Sequence, residues 1–266
     1  MPLSSQSPPI SNVTNVTPLV VDIHRVWKTL CLQRLQAAYG ADMIRLRQIA
    51  LVAHSLEEAI TEVSETLDLD VIFRDPGVAH FGLHNALFCL GDQFIEIVSP
   101  IQEGTTAGRL LDKRGGDGGY MALFEVDNLD ERLAIADMHN VRRVWQGAVD
   151  GIRGAHLHPR DTGGTLVSID QPDIPGEWAW GGPSWKSRRP SSIVSAIDSF
   201  TVGVPRPTIT GQRWRALDID HSVEFTACAQ RGEGLDSVTL TCIDPSRDGE
   251  SVTLVGTTFT LRAAQN

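Results

Sequence analysis

A glutamate inside an apolar run, Phe94-Ile95-Glu96-Ile97-Val98, is the residue of this chain best suited to chemistry. Taking a carboxylate out of water is costly unless it is paired, hydrogen-bonded or protonated, and a carboxyl with a raised pKa is a common general acid or base. Proton transfer is therefore the chemistry expected of Glu96, unless strand alternation turns it to the wet face of its sheet. Gly91-Asp92 reads as a tight turn between strands running from Gly82 to Leu90 and from Gln93 to Ser99. With those two residues at the centre of the turn, Leu87 faces Glu96 and Asn85 faces Val98, so Asn85 shares the Glu96 side and His84 points away. A turn one residue longer reverses the two. Asn85 and His84 are thus competing neighbours of Glu96. His80 lies in the approach to that strand, where a loop could carry it over the site. Arg160 could hold a substrate carboxylate or phosphate through paired hydrogen bonds. His156 and His158 alternate on one strand, a spacing that can chelate a metal. Trp178, Trp180 and Trp185 are three indoles in an irregular segment, expected either to exclude solvent from an apolar substrate or to pack against the C-terminal region of the chain.

The elements that must position these residues repeat. Arg47-Gln48-Ile49-Ala50-Leu51-Val52 returns as Tyr120-Met121-Ala122-Leu123-Phe124-Glu125-Val126, and Asp92-Gln93-Phe94-Ile95-Glu96-Ile97 returns as Gly164-Thr165-Leu166-Val167-Ser168-Ile169. A unit used twice cannot bury its apolar face alone, which places any function between the copies. The first copy is expected to run strand (Arg45 to Ala53), helix to Leu67 capped by Ser55 with Glu58 three residues on, then three strands. The second repeats that order from Tyr120 to Asp170. The expected class is α+β, built of repeated βαβββ modules. The expected divisions are a disordered N-terminus plus an appended helix over 1–43, module one over 44–116, module two over 117–172, a Trp/Pro/Gly-rich linker over 173–193 and a degenerate third module over 194–266. Three copies leave one unpaired, so a homodimer is expected from symmetry.

Composition narrows the function. At 266 residues and 41% hydrophobic content the chain can bury a large core. A net charge of -10 argues against nucleic acid as a partner. The cysteines at 31, 89, 228 and 242 are far apart, which suits reduced thiols better than disulfides or zinc. No apolar run approaches the ~18 residues of a membrane span, and the N-terminus lacks the pattern of a secretory signal, so a cytoplasmic protein with no membrane partner is expected. Phosphate-loop and serine-hydrolase motifs are missing. Gly115-Gly116-Asp117-Gly118-Gly119 precedes a strand rather than a helix and reads as a flexible loop.

Ile49-Ala50-Leu51-Val52-Ala53-His54-Ser55-Leu56-Glu57-Glu58-Ala59, Phe94 to Pro100, Phe124 to Asp130 and His158 to Val167 together resemble the glyoxalase and methylmalonyl-CoA epimerase branch of the vicinal oxygen chelate superfamily. His80 to Leu87 is similar to the glyoxalase-like proteins of that group. The likeness spans about residues 44 to 172 well and 194 to 264 loosely. It implies modules curled into an open cup, with a divalent metal held by one residue from the first strand and one from the last strand of each module. Those positions here are Gln48 and Glu96, Met121 and Ser168, and Ser199 and Thr260. A thioether and neutral hydroxyls are poor ligands for a hard or borderline ion, so the usual metal site is expected to be absent and no other cofactor is implied. A displaced site drawing on His80, His84, His156 or His158 is the competing reading. The resemblance implies a small-molecule enzyme doing isomerase, epimerase or lyase chemistry beside a carbonyl, with Glu96, His80 and His84 as the catalytic candidates. Gln48, Asn85, Tyr120, Met121, Ser168, Arg160 and Trp180 are expected to bind an apolar or carbonyl-containing substrate. The alternatives are a non-catalytic protein sequestering such a compound and, third, a metal-dependent dioxygenase.

Overall fold

Runs that alternate or repeat at helical spacing dictate each element, and the computed structural model describes residues 43–149 and 151–264. The appended helix expected in the N-terminal segment lies outside them. The first βαβββ unit is β1 (Ile44–Val52), α1 (Leu56–Leu67), β2 (Val71–Phe73), β3 (Leu83–Leu90) and β4 (Gln93–Pro100). After α2 (Thr106–Arg114), the second is β5 (Gly118–Val126), α3 (Leu129–Met138), β6 (Arg143–Val149), β7 (Ile152–Leu157), the single turn α4 (Pro159–Thr162) and β8 (Leu166–Pro172). In α1 the residues Leu56, Ala59, Val63 and Leu67 are buried, a stripe of three- and four-residue steps that seats the helix on the sheet. The expected capping box is not formed: Ser55 stands at the N-cap, but its side chain makes no cap hydrogen bond.

Both units join one eight-stranded sheet in the order β2-β3-β4-β1-β5-β8-β7-β6. Within each unit the first strand pairs parallel with the last, β1 with β4 and β5 with β8, and the units meet where β1 runs antiparallel to β5. The sheet curls, giving a mixed α+β fold with a concave and a convex face. Two bulges interrupt the central β1/β5 seam. Leu46 pairs with Phe124 and Gln48 with Leu123, leaving Arg47 as the extra residue of β1; Ala50 pairs with Met121 and Leu51 with Gly119, leaving Tyr120 extra on β5. Arg47 and Tyr120 are the very positions that the sequence repeat aligns.

The convex face is covered by α1, α3 and the C-terminal region, which comprises β9 (Val194–Val204), α5 (Pro207–Ala216), β10 (Val223–Ala227), β11 (Gly234–Cys242), β12 (Ser251–Leu254) and β13 (Thr257–Ala263). Its five-stranded sheet has the order β10-β9-β11-β13-β12, with β9 parallel to β10 and antiparallel to β11. That order corrects the expectation of a third module, in which the first strand would pair parallel with the last. Phe124 meets Phe200 at a centroid distance of 6.3 Å across the two sheets. Gln93 fixes the join, donating to the Ile197 carbonyl at 2.9 Å and accepting from the Ile197 amide at 2.8 Å. Among the described residues no helix is long and apolar enough to cross a membrane.

The concave face is also lined by apolar groups. At one end α2 lays Ala107 and Leu111 against Val52, Leu83 and Val98. At the other end the connector after β8 folds back over the sheet, and Trp178 and Trp185 join Ala50, Leu87, Phe94, Met121 and Leu123. The indoles therefore pack into the curl of the first sheet rather than against the C-terminal one.

Candidate functional site

The side chain of Glu96 projects into the concave face, where only 8% of the residue is exposed. Alternation places Phe94, Glu96 and Val98 on that side and sends Ile95 and Ile97 into the convex core. The β3/β4 hairpin has the two-residue turn, pairing Leu90 with Gln93, Leu87 with Glu96 and Asn85 with Val98. Asn85 therefore shares the Glu96 side. Its Nδ2 donates to Glu96 Oε1 at 2.6 Å, and from the other flank Gln48 Nε2 donates to Oε2 at 2.9 Å. Each amide is itself fixed, since Gln48 Oε1 accepts from Trp178 Nε1 at 2.8 Å and Asn85 Oδ1 from the Asp75 amide at 2.8 Å. Burial pushes the Glu96 pKa up, and the Asn85 and Gln48 hydrogen bonds only partly oppose it.

A second buried glutamate on the same face shows what Glu96 lacks. Glu125 is fully buried, but Arg45 and Arg47 lie 2.9 and 3.0 Å from its Oε2, and the Gly176 amide donates to Oε1 at 2.7 Å. Burial raises the Glu125 pKa as well, against the lowering by Arg45 and the Gly176 amide, so what sets Glu125 apart is that its charge is matched by two guanidinium groups. Among the described residues Glu96 touches only neutral amides. Because each carboxylate oxygen has two lone-pair directions, one N–H bond apiece leaves room on Glu96 for a proton.

The remaining candidates separate by position. Met121 is buried among Ala50, Leu123 and Leu166, filling apolar space. Ser168 is fully buried, with its hydroxyl 3.4 Å from the Ala155 carbonyl oxygen. Tyr120, lifted inward by its bulge, packs between the apolar groups at both ends of the concave face. Trp180 donates from Nε1 to Asp170 Oδ1 at 3.2 Å. Three candidates stand elsewhere. His84 is exposed and faces away from Glu96, as the hairpin register requires. Arg160 is exposed on α4, past the end of β7. His80 is exposed in the turn Pro76–Phe81, its ring edge-on to Phe81 at 5.3 Å. His156 and His158 do not act as a pair: His158 leaves the strand to cap α4, its Nδ1 accepting from the Arg160 amide, while His156 remains in β7 against Trp145 at 4.6 Å. Burial alone lowers the His156 pKa to about 4, so its ring is neutral at physiological pH.

The residues implied as ligands of a divalent ion are engaged otherwise. Both Glu96 oxygens and the Gln48 oxygen accept N–H bonds, Met121 offers a thioether and Ser168 a neutral hydroxyl directed at a carbonyl. Ser199 and Thr260 lie in the five-stranded sheet of the other layer. These residues do not fit a hard or borderline divalent ion.

Sequence reasoning passed over Asp170. It follows Ser168 by two residues on the concave side of β8 and is almost fully buried, with Oδ2 lacking a partner among the described residues. Gly154, its cross-strand neighbour, makes the space, since a Cβ there would collide with the carboxylate. Burial raises the Asp170 pKa to about 7. The folded chain thus holds this proton from the ordinary 3.8 up to about pH 7, so the stability it confers is present below that window and is lost as pH rises through it. Asp170→Asn should therefore raise stability at pH 8 by roughly 2–4 kcal/mol and give almost no gain at pH 4, read from urea unfolding at both pH values. An equal effect at the two would exclude the titration.

Over about half of the chain, the paired βαβββ units sharing one curled sheet are similar to proteins of the vicinal oxygen chelate, glyoxalase-like fold. Over that half the chain is similar to methylmalonyl-CoA epimerases. The human mitochondrial enzyme is 26% identical over 130 residues, covering 48% of this chain and 73% of that protein. The ethylmalonyl-CoA/methylmalonyl-CoA epimerase of Cereibacter sphaeroides is 28% identical over 134 residues, covering 48% and 97%. Among solved structures, methylmalonyl-CoA epimerase from Mycobacterium tuberculosis superposes with a TM-score of 0.43 at 23% identity, over 48% of this chain and 87% of that one. A variant of the Streptomyces coelicolor enzyme in complex with 2-nitronate-propionyl-CoA gives 0.44 at 20% identity, over 48% and 96%. No family model matches the chain.

Proposed function

We propose that this protein moves a proton at a carbon beside a carbonyl, as an isomerase of the epimerase kind, with Glu96 as the acid-base group. The observation that carries the reading is the contrast between the two buried glutamates: Glu125 is neutralised by arginines, whereas Glu96 is held by amides alone in an apolar wall. A carboxyl so placed has the raised pKa and the directional hold that general acid-base catalysis requires. The relatives name an acyl-CoA substrate, and a thioester bearing an acidic α-hydrogen is the substrate class we assign. Asn85 and Gln48 orient the carboxyl.

A second reading rests on Trp178 and Trp185, which occupy concave surface next to Gln48. A cup walled by indoles in this way suits a protein that holds an apolar compound without turnover. Deuterium exchange separates the two. Incubated with methylmalonyl-CoA in heavy water, the protein should replace the α-hydrogen, seen by NMR as collapse of the methyl doublet. Saturable binding with exchange no faster than in buffer would favour sequestration.

A further inference from the structure

Removing a proton next to a carbonyl drives negative charge onto the carbonyl oxygen, and the donor set around Glu96 does not fit a divalent ion that could receive it. The charge must then fall on a hydrogen-bond donor. Most donors of the concave face are already committed: the amides of Gln48 and Asn85 to Glu96, the Trp178 indole to Gln48, the Trp180 indole to Asp170 and the Ser168 hydroxyl to the Ala155 carbonyl. Two groups differ in making no hydrogen bond among the described residues, but the His156 ring, on β7 four strands from Glu96, is stacked on Trp145 and Phe81, which leaves the nearer hydroxyl of Tyr120. Its backbone is held, since the Tyr120 carbonyl accepts from Thr165 Oγ1 at 3.0 Å, and the bulge at this residue turns the ring inward beside Met121 instead of into the convex core. The ring is near enough to Glu96 for that carboxylate to help raise the phenol to about 12, after the larger effect of burial.

We infer that Tyr120 is a catalytic residue whose hydroxyl donates to the substrate's carbonyl oxygen and stabilises the enolate that forms when Glu96 takes the α-proton. This deepens the proton-transfer reading and rests on it. In the step, the C–H bond breaks and its electron pair becomes the new C=C bond. The carbonyl π pair moves onto oxygen, the proton joins a Glu96 oxygen, and Tyr120 keeps its own proton. Return of a solvent-exchanged proton from Glu96 to the same face of the carbon gives exchange with retention, delivery of a solvent proton to the opposite face gives the epimer, and neither needs an oxidant or further reactant.

The sequence signal was present, since Tyr120 heads the second copy of the repeat, opposite Arg47 in the first. What it could not show is that each is the extra residue of a bulge, so that one side chain is spent on the connector and the other is left free.

Tyr120→Phe keeps the ring and its packing and removes only the donor. Against chelator-treated wild type, the variant should slow deuterium exchange into methylmalonyl-CoA by about 100-fold, the usual cost of losing one oxyanion donor. Binding of methylmalonyl-CoA itself should stay within about threefold, because the charge exists only in the enolate. The anionic analogue 2-nitronate-propionyl-CoA should bind about 100-fold more weakly, a readout independent of turnover. Exchange and nitronate affinity both within about threefold of wild type would overturn the assignment and leave the proton-transfer reading standing. A wild type that fails to exchange at all would sink that reading, and this inference with it.

Discussion

Glu96→Gln should slow α-proton exchange by two to four orders of magnitude, about the range that a positioned acid-base group supplies. The substitution keeps size and burial while removing basicity, and its structural cost can be separated. A glutamine here presents one amide nitrogen to either Gln48 Nε2 or Asn85 Nδ2, and neither can turn round without losing its bond to Trp178 or Asp75. One donor thus meets another, at a cost of about 1–3 kcal/mol. A modest fall in stability with a large fall in exchange is the expected pair of results. Exchange within about tenfold of wild type would remove Glu96 from the reaction.

The second large effect is on the fold. Arg47 is fully buried, with Nη1 3.0 Å from Glu125 and 3.1 Å from Asp92, and Nη2 donating to the Gly176 carbonyl at 2.7 Å. Its guanidinium also lies 5.4 to 5.9 Å from the rings of Phe94, Trp178 and Trp185. This one side chain therefore couples the sheet to the connector. Arg47→Met keeps an unbranched apolar stem but removes the charge that compensates Glu125, an uncovering that typically costs about 3–5 kcal/mol. The loss should appear in urea unfolding. With Arg47 gone, Trp178 also loses a partner that holds it beside Gln48, so tryptophan emission of the folded variant should shift to the red. A loss below about 1 kcal/mol would mean that Arg45 alone holds Glu125.

Much of the site's layout could be read from alternation. The period of two puts Glu96 and Phe94 on one face, and the two central residues of the Gly91-Asp92 turn decide between Asn85 and His84. The pairing of two βαβββ units followed from the repeat. Other features depend on breaks in regularity that leave no mark in the sequence. The bulges at Arg47 and Tyr120 add a residue to one strand and not the other, which becomes visible only when both strands are aligned. Helix α2 is short and carries only three buried residues, too few to mark it in the sequence, although Thr105 does accept the Gly108 amide as an N-cap. The C-terminal strands alternate just as a module's would, and alternation says nothing about which strand pairs with which. Asp170 needed Gly154 across the ladder to be noticed, a relation between strands rather than within one.

On the proposed reading, a buried, amide-held carboxyl moves the proton in a site whose donors do not suit a divalent ion. The most direct measurement is the rate of deuterium exchange into methylmalonyl-CoA by protein dialysed against a strong chelator, with and without added cobalt, zinc or magnesium. The stripped protein should exchange at the full rate, and the added ions should change it little. Exchange that disappears on stripping and returns with a stoichiometric ion would contradict that reading.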